Sequence, residues 1–169
     1  MTLIDEAHLS LDDLANEAAY RRCCPKRRKG EPPQDWYKRE SEAFQYFCNN
    51  FWYIKHPERG RIKFELFDSQ IETVESWLTN RYSLILKARQ IGFSTLVAAY
   101  AFWLAYFHGD RSIVMLSRTE RDAIKLLQKA KYGLRFLPEY FQQRPGAPLI
   151  NMTQTRIEFT NESVIESLP

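Results

Sequence analysis

An apolar segment of strand length, a polar turn and an apolar helix follow one another in the middle of this chain and constrain its fold more than any other feature. Residues 84–95 read Leu-Ile-Leu-Lys-Ala-Arg-Gln-Ile-Gly-Phe-Ser-Thr, and an uninterrupted apolar run from Leu96 to Phe107 follows directly. Apolar runs of these lengths, separated by a turn with glycine, predict a buried strand, a loop and a buried helix. We therefore expect a layered α/β domain.

The turn between strand and helix has the residue order of a phosphate-binding loop, with substitutions at some motif positions. In the common form, Gly-x4-Gly-Lys-Ser/Thr, backbone amides cradle phosphate, the lysine balances charge and the hydroxyl binds Mg²⁺. Gly92 and Ser94 fit this frame, whereas Phe93 occupies the lysine position. Lys87 stands where the first glycine belongs. Because a lysine is a point charge on a flexible stem, its ammonium can reach the same phosphates from the loop entrance.

Two further loop residues are candidates for phosphate or metal contacts. Arg89 is a second cation, which would grip phosphate or sense its loss on hydrolysis. Thr95 would replace Ser94 as the hydroxyl ligand if the register shifted by one residue. A strand, a glycine turn and a helix start also occur in α/β domains that bind no nucleotide, so the loop alone leaves a purely structural interpretation open.

The segment Lys87–Thr95 resembles the deviant phosphate loop of the large terminase subunits, the ATPases that pump the DNA of tailed phages into preformed heads. Further segments resemble the same family in the same order, and together they span roughly Phe47 to Pro169. These segments are Phe64–Gln70, similar to the adenine-reading glutamine motif, Arg111–Thr119 with Ala123, similar to the next strand and helix, and Asn161–Pro169, similar to the hairpin before the acidic motif.

The resemblance implies an α/β fold of the P-loop (ASCE-type) NTPase class, with a mainly parallel sheet flanked by helices. The residue pattern predicts an N-terminal helix and a basic arm with proline and glycine in residues 1–40, and the resemblance implies an incomplete P-loop ATPase domain in residues 41–169. In that family the acids that hold Mg²⁺ and orient water lie on the strand after the hairpin. We therefore expect the sequence to stop before the acidic Walker B motif, and the family's C-terminal nuclease to be absent from it.

The same resemblance assigns roles to loop residues, with ATP and Mg²⁺ as cofactors. It implies that Gln70 reads adenine, because an amide offers the acceptor and donors that the base requires. Ser94 would bind Mg²⁺, and the amides of Gly92–Thr95 would grip phosphate. Lys87 and Arg89 would be catalytic. The implied nucleotide contacts are Gln70, Lys87, Ala88, Arg89, Gln90, Ile91, Gly92, Phe93, Ser94 and Thr95.

The implied whole protein is an ATPase with a nuclease that drives viral double-stranded DNA into the prohead, and these 169 residues are expected to be inactive alone. The implied partners are double-stranded DNA, the portal protein, the small terminase subunit and further copies in a ring. The expected location is the host cytoplasm, and not the mature virion. Two alternatives stay open: a helicase-like DNA translocase fragment, and a non-catalytic module that docks on DNA or on a packaging partner.

Composition limits the class of protein further. A hydrophobic content of 44% and an aromatic content of 14% are sufficient for a folded core in 169 residues. The net charge of +3 is too mild to indicate nucleic acid by itself. No N-terminal segment has the form of a signal peptide, and no apolar run reaches membrane-spanning length. We therefore expect a soluble, intracellular chain with no membrane partner.

The cysteines and histidines do not predict a disulfide framework or a zinc site. Three cysteines, two of them adjacent, do not pair readily, so we expect reduced thiols. The histidines are too scattered to complete a metal-binding set. The residues concerned are Cys23, Cys24, Cys48, His8, His56 and His108.

The N-terminal forty residues divide into a helix and an arm. Thr2–His8 imitates the apolar-then-acidic motif of ATPases, but too few apolar residues precede Asp5 and the segment comes before the loop, so we reject it. An amphipathic helix is predicted from Leu9 to Arg22. The basic segment that follows contains prolines and a glycine, which disfavour a continuous helix. Its basic side chains would contact DNA phosphates or stay solvated. They are Arg21, Arg22, Lys26, Arg27, Arg28, Lys29, Lys38 and Arg39.

Periodicity and turn residues predict the remaining elements. A helix is expected to begin at Asp35 or Ser41 and run through Cys48, and a long loop is expected from Pro138 to Pro148. The strands are predicted at 53–55, 61–64, 112–116 (buried and parallel), 149–152, 155–159 and 163–167. The helices are predicted at 70–79, at 94–106, and from a cap at Ser117–Thr119 to about Phe136.

Overall fold

The computed structural model of this chain describes residues 11–88, 91–143, 148 and 150–169. The helices are α1 (Leu11–Cys23), α2 (Pro33–Phe51), α3 (Asp68–Thr79), α4 (Phe93–His108), α5 (Glu120–Arg135) and α6 (Glu139–Gln143). The strands are β1 (Tyr53–His56), β2 (Gly60–Lys63), β3 (Ser112–Leu116), β4 (Ile150–Met152), β5 (Arg156–Phe159) and β6 (Val164–Leu168). None of the helices in these ranges is both long and apolar enough to cross a membrane.

The larger sheet is mixed, so the prediction of a mainly parallel sheet is wrong for the described residues. Its strand order is β3-β6-β5-β4, and β3 pairs with β6 in parallel, with Ser112 opposite Val164. The other two pairs, β4 with β5 and β5 with β6, are antiparallel. Strands β1 and β2 form a separate antiparallel hairpin. The α/β class is confirmed, as are the predicted hairpins and the parallel pairing of β3.

The turn between β5 and β6 is fixed to the end of α4. The side-chain amide of Asn161 donates to the carbonyl oxygens of Ala105 and Tyr106, at 2.9 and 3.2 Å. The backbone oxygen of Asn161 accepts from the amide of Asp110 at 2.9 Å. Carbonyls in the last turn of a helix lack partners within the helix, so these bonds satisfy groups that would otherwise need water. The hairpin is thereby positioned against α4.

The core is built around α4, which contacts α2, α5 and the sheet. Phe102, Trp103 and Tyr106 are at most 1% exposed. The Phe102 ring lies 4.8 Å from that of Trp52, which follows α2 directly. The indole nitrogen of Trp103 donates to the backbone oxygen of Cys23 at 2.9 Å and so fixes the end of α1. Each fully buried apolar side chain of this size stabilises the fold by about 1.5–3 kcal/mol.

The segment before the loop does not form the buried strand that its sequence predicts. Residues 82–88 are outside every helix and strand, and Leu84 and Leu86 are fully exposed, at 102% and 103%. Isolated strands gain nothing without a neighbour to pair with, because their amides and carbonyls then stay hydrated. Within the described residues no strand pairs with this segment. The prediction of a buried strand at this segment is therefore wrong for the described residues.

Three other elements differ from prediction. Strand β3 is only partly buried, since Val114 and Leu116 on one face are 49% and 69% exposed. The short helix α6 lies inside the predicted loop. Helix α2 begins at Pro33, because proline is favourable in a first helical turn, so Lys38 and Arg39 are helical and not part of an arm. Arg39 forms an ion pair with Glu31, at 2.8 Å.

A buried acid and a buried histidine lie beside each other at the end of α4. Glu40 of α2 and His108 have 8% and 12% of their side chains exposed, and their Oε1 and Nε2 atoms are 3.6 Å apart without a hydrogen bond. Burial raises the pKa of Glu40 to about 7, although Arg111 and Arg39 oppose the rise. Burial, assisted by Arg111, lowers the pKa of His108 to about 4. Both groups therefore favour their neutral forms, despite a separation that would suit an ion pair.

We expect Gly133→Ala to destabilise the protein by about 2 kcal/mol, even though alanine is the better helix former. A β-carbon at this position of α5 would lie 2.2 Å from Cζ2 of Trp52, whose ring is 1% exposed and held by the core. Urea unfolding measures the loss. A second change, Trp52→Leu, should cost less in the Gly133→Ala background than alone. A Gly133→Ala protein as stable as wild type would contradict this packing.

We expect Glu40→Gln to stabilise the protein at alkaline pH by roughly 1–3 kcal/mol. The folded pKa of Glu40 is raised from 4.5 to about 7, so its favourable contribution is present below the lower value and is lost as pH rises through the higher one. Glutamine removes the burial penalty of the charged form, so the gain should vanish at acidic pH. Urea unfolding at about pH 8.5 and about pH 4.5 checks this. Glu42→Gln, at an exposed position of the same helix, is the control. A gain equal at both pH values would contradict it.

Candidate functional site

The loop before α4 ends at a glycine whose backbone begins the helix. Gly92 has φ 71° and ψ 9°, and its carbonyl accepts from the amides of Thr95 and Leu96 at 2.9 and 3.0 Å. No described side chain caps this end of the helix. An uncapped helix start presents amide hydrogens and a partial positive charge, which together favour an anion.

Gly92 cannot be replaced without strain. Its φ lies in the left-handed region, which L side chains rarely adopt. A β-carbon there would also lie 3.2 Å from Nε2 of Gln70. The glycine predicted from the motif spacing is therefore required by the backbone and by its neighbour.

Gln70, the predicted adenine reader, ties the loop to α3. Its side chain is 2% exposed, and its Nε2 donates to the backbone oxygen of Ile91 at 3.0 Å. Its Oε1 accepts from the amide of Phe67 at 3.1 Å. One hydrogen on Nε2 and one lone pair on Oε1 remain, since an amide offers two donors and two acceptor sites. Adenine recognition stays a prediction that would use this remaining capacity.

Lys87 lies beside the helix start, as the sequence predicts. Its ammonium is 5.6 Å from the centroid of the Phe93 ring, within the range of a cation–π interaction. Phe93 in turn packs against Trp77 with ring centroids 5.8 Å apart. The aromatic residue at the motif's lysine position therefore makes a cation–π contact with the displaced lysine.

A cavity of about 1010 Å³ separates the hairpin of β1 and β2 from the start of α4. This volume is at the upper end of small-ligand sites. Among the predicted contacts, its lining includes Gln70, Lys87, Ile91, Gly92, Phe93, Ser94 and Thr95. Ala88 is not in the lining, and Arg89 and Gln90 lie outside the described residues.

The cavity attracts anions. Five Lys or Arg side chains line it against two carboxylates. The predictions from sequence missed most of the cations, because they come from the hairpin and from α5, which carry no motif. The cations are Lys55, Arg59, Lys63, Lys87 and Lys129, and the carboxylates are Glu58 and Glu65.

Ser94 fits a magnesium ligand better than Thr95. The ammonium of Lys129 is 3.4 Å from the hydroxyl oxygen of Thr95, and a divalent cation at that oxygen would be repelled. The Ser94 side chain is exposed at the cavity. The described part of the chain has no cluster of three or more His, Cys, Asp or Glu that suits a metal ion. Mg²⁺ held here would therefore take its other ligands from phosphate and water.

No model of a known protein family matches this sequence. The functional interpretation therefore depends on the residues that line the cavity and on their charges.

We expect Gln70→Ala to loosen the loop while leaving the sheet intact. The change leaves the carbonyl of Ile91 and the amide of Phe67 without their partner, at a cost of about 1–3 kcal/mol. Amide hydrogen exchange should accelerate at least about tenfold in residues 91–96 relative to β5.

Gln45→Ala is the matched control, because Gln45 donates to the Ser41 hydroxyl at 3.1 Å on another helix. Unchanged exchange in residues 91–96 of the Gln70 variant would show that the side chain does not hold the loop.

Proposed function

We propose that the cavity between the hairpin and α4 binds ATP with Mg²⁺, and that the chain is the N-terminal ATPase part of a large terminase subunit. In the complete protein, ATP hydrolysis would power the movement of viral double-stranded DNA into the prohead. The P-loop NTPase fold and the family membership are both part of this proposal.

One observation carries the proposal: the Lys87 ammonium and the uncapped start of α4 line the same cavity. A cation and free amides together are the groups that hold a polyphosphate in phosphate-binding loops. A displaced lysine is also the feature by which residues 87–95 resemble the terminase loop. The excess of cations in the lining favours a ligand with several negative charges.

Each lining residue would have a distinct role with nucleotide bound. The amides of Gly92, Phe93 and Ser94 would hold phosphate oxygens, whereas the amide of Thr95 donates to the Gly92 carbonyl, and Ser94 would supply one oxygen to Mg²⁺. Lys87 would offset charge that develops on the transferring phosphoryl group. Arg89 is proposed as a second catalytic cation. The carboxylate that orients the attacking water is a separate requirement, so we propose nucleotide binding for these residues and hydrolysis for the complete protein.

The base would lie toward the hairpin. Phe67 is 66% exposed and lines the cavity beside Gln70, so its ring offers a face for an adenine. Gln70 would then contact the base with the hydrogen and lone pair that its loop contacts leave over. Because Gln70 also donates to the backbone oxygen of Ile91, binding of the base would influence the position of Ile91.

The proposed partners follow from the resemblance. They are double-stranded DNA, the portal protein, the small terminase subunit and further copies of the chain in a ring, in the host cytoplasm. A helicase-like translocase would use the same cavity, and is separated from a terminase by its DNA substrate and its packaging partners.

A second candidate function is docking on DNA or on a packaging partner without nucleotide. The exposed basic side chains of residues 26–29 favour it, since they lie between α1 and α2 without helical structure. Phosphate contacts predict that DNA retention falls steeply with salt. Deleting this segment would abolish that dependence if docking were its function, and leave nucleotide binding unchanged.

We expect Lys87→Ala to weaken binding of a fluorescent ATP analogue at least about tenfold, or 1.4 kcal/mol, because the loop loses its phosphate cation. Phe93→Ala should weaken it only a few-fold, because the lysine loses its aromatic support but keeps its charge. Equilibrium titration followed by fluorescence anisotropy measures both.

Lys26→Ala is the control, since it removes an equal charge at an exposed position outside the cavity. Equal affinity in wild type and in all three variants would refute the role of Lys87 in phosphate binding. An undetectable affinity in wild type would remove nucleotide binding from this chain.

A further inference from the structure

A second cavity, of about 760 Å³, adjoins the first along α5. The two share Ile54, Lys55, Thr95 and Lys129 in their linings, so they lie side by side. Among the described residues, the second cavity is lined by five cations and by no carboxylate. These cations are Lys55, Lys125, Lys129, Lys131 and Arg135.

Lys129 differs from its neighbours on α5 in what it contacts. Lys125 is paired with Asp122, with Nζ 3.0 Å from Oδ1. Lys131 donates to the backbone oxygens of Thr153 and Gln154. Lys129 contacts only the neutral hydroxyl of Thr95 among the described residues, at 3.4 Å. Its charge is therefore not balanced by a protein carboxylate.

The backbone under Lys129 is fixed, although its side chain is exposed. Leu127 and Ala130, on either side of it in sequence, are fully buried against the core. The ammonium thus extends on a flexible stem from a fixed helix, at the place where the two cavities join. A cation held in this way can move from a hydroxyl to a phosphate oxygen without a rearrangement of the backbone.

We propose that Lys129 is a further phosphate-binding residue, which contacts the terminal phosphate of a nucleoside triphosphate. The inference rests on the proposed nucleotide binding. Phe67, Gln70 and Lys87 line only the first cavity, whereas Lys129 and Thr95 line both. A base near Phe67, with Lys87 between the last two phosphates, therefore places the outer oxygens of the terminal phosphate on the Lys129 side.

This position makes Lys129 a determinant of triphosphate over diphosphate binding. A ligand that ends one phosphate earlier would leave Lys129 on the Thr95 hydroxyl. Loss of the terminal phosphate would therefore release α5 from the ligand while Lys87 still holds the remainder.

The test compares fluorescent ATP and ADP analogues, in the presence of Mg²⁺, on the full chain. Lys129→Gln keeps much of the stem and removes the charge, and should weaken ATP binding about tenfold and ADP binding less than about threefold. Lys38→Gln, at an exposed position of α2 outside both cavities, should change neither affinity. Far-ultraviolet circular dichroism checks that both variants fold.

Unchanged ATP affinity in Lys129→Gln, or equal losses for ATP and ADP, overturns the role of Lys129. In both of those cases a loss of binding in Lys87→Ala shows that the proposed function itself stands. A wild-type chain that binds neither nucleotide overturns the proposed function, and the role of Lys129 with it.

Discussion

The burial of α4 is the constraint on which the rest of the structure depends. Its apolar surface is covered by α2, α5 and the sheet, so the direction of the helix is set by packing on several sides. A helix hydrophobic nearly all round has no stable position at a surface. Its first residues are nevertheless at the cavity, where Ser94 is exposed. The same packing that forms the core therefore fixes where the uncapped helix start lies.

Gln70 connects that core to the loop. Its buried amide joins the start of α3 to Ile91 and lies against Gly92, so the loop is held by a hydrogen bond and by close contact at adjacent residues. A buried amide of this kind is costly to leave unpaired, which makes the arrangement specific. If adenine contacts the same side chain, base and phosphate binding share one group, and the loop position becomes sensitive to the base.

The sequence predicted local structure well and long-range pairing less well. Strand β3 and the ends of α5 follow from apolar periodicity and from Thr119, which accepts from the amide of Asp122 at 3.2 Å. The exposure of Leu84 could not be predicted, because a strand's burial depends on a neighbour that its own sequence does not specify. Similarly, Gly92 and Lys87 could be predicted because they belong to a sequence motif. Lys129 could not be predicted, because it reaches the cavity only through the packing of α5 on α4.

If the loop binds phosphate as proposed, the position of the cations explains how it does so without the usual lysine. A lysine within the helix start is carried by the loop itself, whereas Lys87 lies before the loop and contacts the Phe93 ring. Lys129 approaches from the other side, on a helix anchored in the core. Two cations on separate elements can respond independently to the length of a polyphosphate, which a single lysine in the loop cannot do. An aromatic residue at the usual lysine position is therefore compatible with phosphate binding, because it supports a charge supplied from elsewhere in the fold.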